Sequence, residues 1–120
     1  TMNNDCTLYK TMDYLAKKWV ILILFELWKG EGEVKRFTEL KDAVTGITPK
    51  VLSDRLKELE REGLVVKYIE TKSFPMRSEY KLTEAGMELM EAVRQIKSWA
   101  LKWQISNEIC LLQDCRNCKL

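Results

Sequence analysis

The 120-residue chain contains no histidine. This absence excludes catalytic sites of the Ser-His-Asp and Cys-His types, HExxH zinc proteases and histidine proton shuttles. Its five glycines form neither a GxGxxG turn nor a phosphate-binding loop. We therefore expect a protein that is not an enzyme and that binds no cofactor.

Long hydrophobic runs are also missing. The longest uninterrupted apolar run covers residues 19–25, whereas a helix that crosses a bilayer needs about 20 apolar residues. We therefore expect no membrane contact and, because no charged-then-apolar leader opens the chain, a cytoplasmic location. The composition, 46% hydrophobic and 32% charged, is typical of one globular domain. A net charge of +2 is too small to indicate nucleic-acid binding by itself.

Hydrophobic periodicity predicts helices in the first third of the chain. Apolar residues at i, i+4 and i+7 predict a helix over residues 8–18, with Thr7 as its N-cap. Residues 19–28 are almost all apolar, which predicts a buried helix that Gly30 ends. A brief edge strand is expected over residues 34–37.

Capping residues mark the next two helices. A short helix is expected over residues 39–44, with Thr38 as its N-cap. Thr48 can cap the free amides of a longer helix over residues 49–62, because the proline that follows it suits the first helical position. Gly63 is expected to end that helix.

The helix over residues 49–62 is amphipathic. Leu52, Leu56 and Leu59 form a stripe that we expect to be buried. The opposite face collects polar and charged side chains, namely Lys50, Ser53, Asp54, Lys57 and Arg61, with Arg55 on its flank.

The second half of the chain predicts a hairpin and then a long helix. Residues 64–70 and 78–83 are rich in β-branched and aromatic residues, which favours two strands joined by a partly basic tip. Thr83 can cap a helix over residues 84–104. This order of elements predicts a mainly α fold with a small β-hairpin wing, a winged helix-turn-helix.

The charge distribution indicates DNA as a partner. Between residues 35 and 81 the chain has eleven basic and eight acidic residues, so the excess positive charge lies in this part. A solvated helix face and an ordinary packed turn are the alternatives for the helix and the hairpin tip. The candidate DNA-contacting residues are Arg36, Thr48, Lys50, Ser53, Asp54, Arg55, Lys57, Lys72 and Arg77.

The helix over residues 84–104 is longer than a small domain needs, and its two tryptophans are one turn apart. A symmetric partner copy would cover them, although a pocket for a small-molecule effector remains an alternative. The candidate dimer-interface residues are Leu8, Met12, Val93, Ile96, Trp99, Ala100 and Trp103.

Four cysteines lie near the two ends of the chain. Cys110, Cys115 and Cys118 have C-x4-C-x2-C spacing, and Cys6 is the fourth thiol. This spacing allows three alternatives: reduced structural thiols, a disulfide or thiol switch, or a zinc or iron–sulfur site.

Four sequence blocks resemble one known family. They are AKKWVILIL at residues 16–24, RFTEL at 36–40, GITPKVLSDRLKELEREGLV at 46–65 and PMRSEYKLTEAG at 75–86. In this order they are similar to the HxlR-type branch of MarR-like transcription regulators, over about residues 6–103.

The resemblance implies a homodimeric repressor or activator whose terminal helices form the dimer interface. It also implies that Cys6 matches an N-terminal cysteine that some members use to sense electrophiles or oxidants, although Thr7 replaces the proline usual after it. The C-terminal cysteines are not part of the family pattern.

We therefore expect one winged-helix domain over residues 1–120, with its core at about 8–83 and dimerisation helices at about 7–18 and 84–120. Its expected function is sequence-specific regulation of transcription, as a homodimer on a roughly palindromic double-stranded DNA operator. Two alternatives remain open: a winged-helix module that binds a partner protein, and a cysteine-bound metal or redox sensor whose output is DNA binding.

Overall fold

A computed structural model describes residues 4–72 and 74–117. Its helices are α1 (Thr7–Leu15), α2 (Val20–Lys29), α3 (Phe37–Ala43), α4 (Pro49–Arg61), α5 (Glu84–Trp103) and α6 (Glu108–Leu112). Its strands are β1 (Val34–Arg36), β2 (Val65–Glu70) and β3 (Arg77–Leu82), and single 3-10 turns lie at Glu31–Glu33 and Cys115–Asn117. The architecture is the predicted winged helix-turn-helix, mostly helical with one small antiparallel sheet.

Helix α2 lies at the centre of the hydrophobic core, as its apolar sequence predicted. Ile23, Leu24 and Leu27 are fully buried. The predicted apolar stripe of α4 packs into the same core, because Leu52, Leu56 and Leu59 are also buried. The polar face of α4 is consequently directed away from the core.

The ends of α4 agree with the sequence prediction. The Thr48 Oγ1 accepts a hydrogen bond of 3.2 Å from the Val51 amide, so Thr48 is the N-cap, and Pro49 follows it as the first helical residue. After the helix, Gly63 adopts a φ of +79°, a conformation that glycine allows without strain. These two signals set the start and end of the helix.

The sheet has β3 at its centre, in the order β1-β3-β2, and both pairings are antiparallel. Strand β1 is therefore an edge strand, as predicted, and β2 with β3 forms the hairpin wing. Arg36 of β1 and Tyr68 of β2 both pair with Glu79 of β3. This register places the base of the wing beside the start of α3.

The predicted N-cap of α1 is wrong. Cys6 is the N-cap and Thr7 is the first helical residue. The helix also ends at Leu15 rather than at residue 18, because the chain turns before α2 and Trp19 adopts a left-handed φ of +84°. Side-chain periodicity cannot detect this turn, since both flanking segments are helical.

The predicted N-cap of α3 is also wrong. The helix begins at Phe37, one residue before Thr38, and Arg36 is its N-cap. The Glu39 carboxylate accepts a hydrogen bond of 3.0 Å from the Arg36 amide, which is the reciprocal half of a capping box. A glutamate three residues into the helix therefore takes the role assigned to the threonine hydroxyl.

Helix α5 begins where predicted, since the Thr83 Oγ1 accepts a hydrogen bond of 3.2 Å from the Gly86 amide. Beyond α5, the chain returns to α2, where the Arg116 guanidinium lies 4.5 Å from the centre of the Trp28 ring. Among residues 4–72 and 74–117, none of the helices has both the length and the apolarity that crossing a membrane would require.

Candidate nucleic-acid interface

The polar face of α4 forms the first part of the candidate interface. Lys50, Asp54 and Lys57 are exposed and Ser53 is half-buried at its edge. The Lys50 Nζ lies 4.0 Å from the Asp54 Oδ2 one turn later, a surface pair that contributes little to stability. This face thus presents cations and a hydroxyl donor at the surface, as contact with phosphates and base edges requires.

Two contacts connect α4 with the turn that follows α1. The Arg55 Nε donates a hydrogen bond of 3.2 Å to the Lys18 carbonyl oxygen. The Lys17 Nζ lies 2.9 Å from the Glu58 Oε2, so a lysine from outside the helix pairs with one of its acidic side chains. These contacts orient α4, and the ion pair offsets a negative charge on the candidate DNA-binding helix.

The wing forms the second part. Lys72 and Arg77 are exposed on either side of its tip, as the sequence predicted for charged hairpin residues. Phe74 is fully exposed and Met76 is largely exposed between them. The tip therefore combines two cations with apolar side chains, which is a composition suited to the edge of a DNA groove.

Two of the candidate residues meet beside the wing. Arg36 and Arg77 line one cleft of about 460 Å³, together with Thr38 at the start of α3. The Arg36 Nε lies 4.0 Å from the Oε1 of Glu79, its cross-strand partner on β3. Thr48, another candidate, uses its hydroxyl oxygen as the α4 cap and keeps an O–H donor.

A buried tyrosine of β3 packs the base of the wing against α3. Tyr80 of β3 is buried, and its ring centre lies 6.5 Å from that of Phe37. Burial, and then the negative charge of Glu60, raise the pKa of the Tyr80 hydroxyl. The residue is therefore neutral at physiological pH and anchors the wing to α3 by packing.

The terminal helices carry the predicted dimer-interface residues. Five of them are exposed apolar side chains, here called the terminal patch: Leu8, Met12, Ile96, Trp99 and Trp103. Ile96, Trp99 and Trp103 keep 61%, 56% and 67% of their surface exposed. Ala100 is half-buried, whereas Val93 is buried in the core of the chain itself and has little surface to offer a partner.

The structure describes three of the four cysteines that the sequence analysis singled out. Cys6, Cys110 and Cys115 are free and half-buried, and Cys118 lies outside the described residues. Within residues 4–72 and 74–117, no three His, Cys, Asp or Glu side chains are grouped so that they could hold a metal ion. Cys110 and Cys115 line one cleft, and Cys6 is not among its lining residues.

The sequence analysis did not find the side-chain pairs that are distant in sequence but in contact in the fold. Lys17 and Glu58 are 41 positions apart, and Lys97 and Cys115 are 18 apart. No periodicity or capping motif connects such pairs. The folded chain was needed to find them.

Comparisons with known proteins identify the family of the chain. Residues 14–108 match the family model described as HxlR-like helix-turn-helix. The chain is 42% identical over 94 residues to the HTH-type transcriptional regulator YvaP of Bacillus subtilis strain 168, a match that covers 78% of this chain and 83% of YvaP.

Two solved structures have a similar fold. The reduced form of the transcriptional regulator YodB from B. subtilis has a TM-score of 0.71 at 30% identity, covering 86% of this chain and 98% of YodB. The redox regulator HypR in its oxidised form has a TM-score of 0.69 at 33% identity, covering 83% of this chain and 99% of HypR.

Proposed function

The chain belongs to the HxlR-like helix-turn-helix family of transcriptional regulators, and we propose that it binds a roughly palindromic DNA operator as a homodimer. The observation that carries this proposal is the polar face of α4. It is exposed and basic at Lys50 and Lys57. Arg55 and Glu58 connect this helix to the turn between α1 and α2. A helix presented in this way fits the major groove of double-stranded DNA.

The wing extends this interface. Lys72 and Arg77 would contact phosphates beside the groove that α4 occupies, and Arg36 would reach the backbone from the neighbouring cleft. Contacts of this kind position a protein on DNA without reading its sequence. Base discrimination would then come from α4, principally from Ser53 and Lys57.

The terminal patch supports the homodimer. Its two tryptophans and Ile96 are more than half exposed, and large exposed apolar side chains in proximity mark interaction sites. A two-fold axis through the terminal helices would cover them and place two copies of α4 in successive major grooves, about 34 Å apart. In this proposal residues of about 8–83 form the DNA-binding core, and the flanking helical segments join the two copies.

A response to oxidants is the regulatory part of the proposal. HypR, which is similar in sequence and fold, is described as a redox regulator. Cys6 is a free thiol at the N-cap of α1, next to the terminal patch residue Leu8. A change in covalent state at Cys6 would therefore act at the proposed dimer interface. Operator affinity of the wild type and of Cys6→Ser, each reduced and oxidised, tests this part, and four equal affinities would contradict it.

The whole proposal is tested by selecting binding sites from random duplex DNA with the full chain. We expect enriched sequences with two inverted half-sites whose centres are about one helical turn apart, and two chains bound per duplex. Affinity for the selected duplex should fall steeply with salt, whereas a shuffled duplex should bind more weakly at every salt concentration. A failure to enrich any sequence, or binding that does not depend on salt, would contradict the proposal.

A further inference from the structure

A cleft of about 750 Å³ lies between α5 and the segment that follows it, away from α4 and the wing. Its volume is in the range of about 300–1,000 Å³ that small-molecule sites occupy. Two cysteines line it, Cys110 from α6 and Cys115 from the last 3-10 turn. The cleft thus combines space for a ligand with two nucleophilic side chains.

One of these thiols has a cation directly beside it. The Lys97 Nζ of α5 donates a hydrogen bond of 2.9 Å to the Cys115 Sγ. The sulfur is the atom that attacks a disulfide, and an ammonium at this distance attracts an anionic reagent towards it. The contact therefore singles out Cys115 within the cleft.

The other charges of the cleft indicate what kind of reagent would enter. Three cations line it, Arg94, Lys97 and Lys102, against two carboxylates, Glu91 and Asp114. The Arg94 Nη1 is already paired with the Glu91 Oε1 at 3.2 Å. The lining side chains carry one more positive than negative charge, which favours a small molecule that carries carboxylates.

We propose that this cleft is a thiol-modification site, at which Cys115 exchanges with a small disulfide that carries carboxylates. The Cys115 sulfur attacks one sulfur of the reagent, whose S–S bond breaks as a new one forms to Cys115. The other half leaves as a thiolate and takes up a proton equivalent to the one Cys115 released. Cys115 is oxidised and the released half is reduced, so the reagent itself is the oxidant.

The modification would be transmitted to the DNA-binding part of the chain through Arg116. This residue follows Cys115 directly, stacks on Trp28 of α2 and pairs with Glu33, the Arg116 Nη2 lying 3.2 Å from the Glu33 Oε1. Glu33 immediately precedes β1, the edge strand beside the wing. A group attached to Cys115 would replace the Lys97 contact and loosen this attachment, so hydrogen exchange in residues 105–117 should accelerate.

The experiment measures the rate of mixed-disulfide formation at each cysteine of the reduced full chain, with oxidised glutathione as the probe. Unreacted thiols are blocked, and tandem mass spectrometry of tryptic peptides locates the adduct. Trypsin cleaves after Arg116, which separates Cys115 from Cys118. We expect Cys115 to react first, and Lys97→Gln to slow Cys115 about tenfold while Cys6 is unaffected. Lys97→Arg should restore most of the rate.

Two comparisons make the outcome decisive. Cystamine has the same reactive bond but carries amines, so it should modify Cys115 more slowly, relative to Cys6 outside the cleft, than oxidised glutathione does. Lys10→Gln, a change on the exposed face of α1, is the control for loss of one positive charge. Faster reaction at Cys6, Cys110 or Cys118, equal effects of Lys97→Gln and Lys10→Gln, or a preference of Cys115 for cystamine would overturn the proposal.

The wild-type rates alone are decisive if Lys97→Gln does not fold. In that case the order of reaction among the cysteines and the ratio between the two reagents still support or overturn the assignment. The measurement does not involve DNA, so its failure would leave the proposed operator binding untouched, and failure of operator binding would leave this site untouched.

Discussion

The Arg55 side chain connects α4 to the turn between α1 and α2, because its Nε donates a hydrogen bond to the Lys18 carbonyl oxygen. The neighbouring Lys17–Glu58 ion pair spans the same two elements. Since α1 carries part of the terminal patch, the orientation of α4 is linked mechanically to the helix that we propose at the dimer interface. We therefore assign Arg55 the role of positioning α4, which depends on its hydrogen bond and not only on its charge.

Arg55→Lys tests this positioning role. Lysine keeps the positive charge but lacks the Nε–H group, so we expect operator affinity to fall by about 1 kcal/mol while the salt dependence stays the same. Fluorescence anisotropy with the selected duplex at several salt concentrations measures both. Arg61→Lys, an exposed arginine of the same helix, is the matched control. Unchanged operator affinity in Arg55→Lys, or equal losses in Arg55→Lys and Arg61→Lys, would contradict the positioning role.

Lys57→Ala and Ser53→Ala test base reading by α4. Both side chains lie away from the buried stripe, so the free energy of unfolding should change by less than about 0.5 kcal/mol. Discrimination between the operator and a duplex with one changed base pair should fall by about 1–3 kcal/mol. Competition binding with the two duplexes provides the measurement. Unchanged discrimination in both variants would contradict this assignment of the face.

Lys72→Ala with Arg77→Ala tests the wing. Phosphate contacts do not distinguish sequences, so affinity for operator and for random duplex should fall together. The slope of log affinity against log salt should become shallower by about one unit for each lost contact. A loss restricted to the operator, with the slope unchanged, would instead assign the tip to base reading.

Trp99→Glu tests the homodimer. A charge on α5 between Ile96 and Trp103 would be costly to bury, so the variant should be monomeric at concentrations at which the wild type is dimeric. Light scattering should give the 14.1 kDa of one chain for the variant and twice that for the wild type. Leu22→Glu places the same charge on an exposed apolar position of α2 and should leave the dimer intact. A monomeric wild type would refute the interface.

Gly86→Ala tests the packing of α5 on the wing. In an exposed helix alanine is more stable than glycine by about 1 kcal/mol. Here an added Cβ would lie 2.6 Å from the Leu64 carbonyl oxygen, so we expect a loss of about 1–3 kcal/mol in the free energy of unfolding. Urea denaturation measures whether the free energy of unfolding falls or rises, and Glu88→Ala at an exposed position is the control. A stabilised Gly86→Ala variant would mean that α5 shifts away from Leu64.

Local signals in the sequence determined most of the fold. The Thr48–Pro49 start and Gly63 end of α4, its leucine stripe, the two wing strands and the Thr83 cap were all predicted from neighbouring residues, and all are confirmed. These features depend on backbone amides and on side-chain period, which act within a few residues of chain. The N-caps predicted at Thr7 and Thr38 were wrong: α1 begins after Cys6 without a side-chain cap, and α3 begins after Arg36, whose amide donates to the Glu39 carboxylate. A threonine hydroxyl is only one way to satisfy the groups at a helix end, so residue type alone does not fix the start.

Only the tertiary structure decided which distant side chains meet. The sequence shows that Arg55, Cys115 and Arg116 exist, but not that they contact Lys18, Lys97 and Trp28. Val93 has the spacing of an interface residue and lies in the core, while Trp99 six residues later remains exposed. Helical period specifies the direction of each side chain around its own axis, whereas the position of that axis against the other elements depends on the packing of the whole chain.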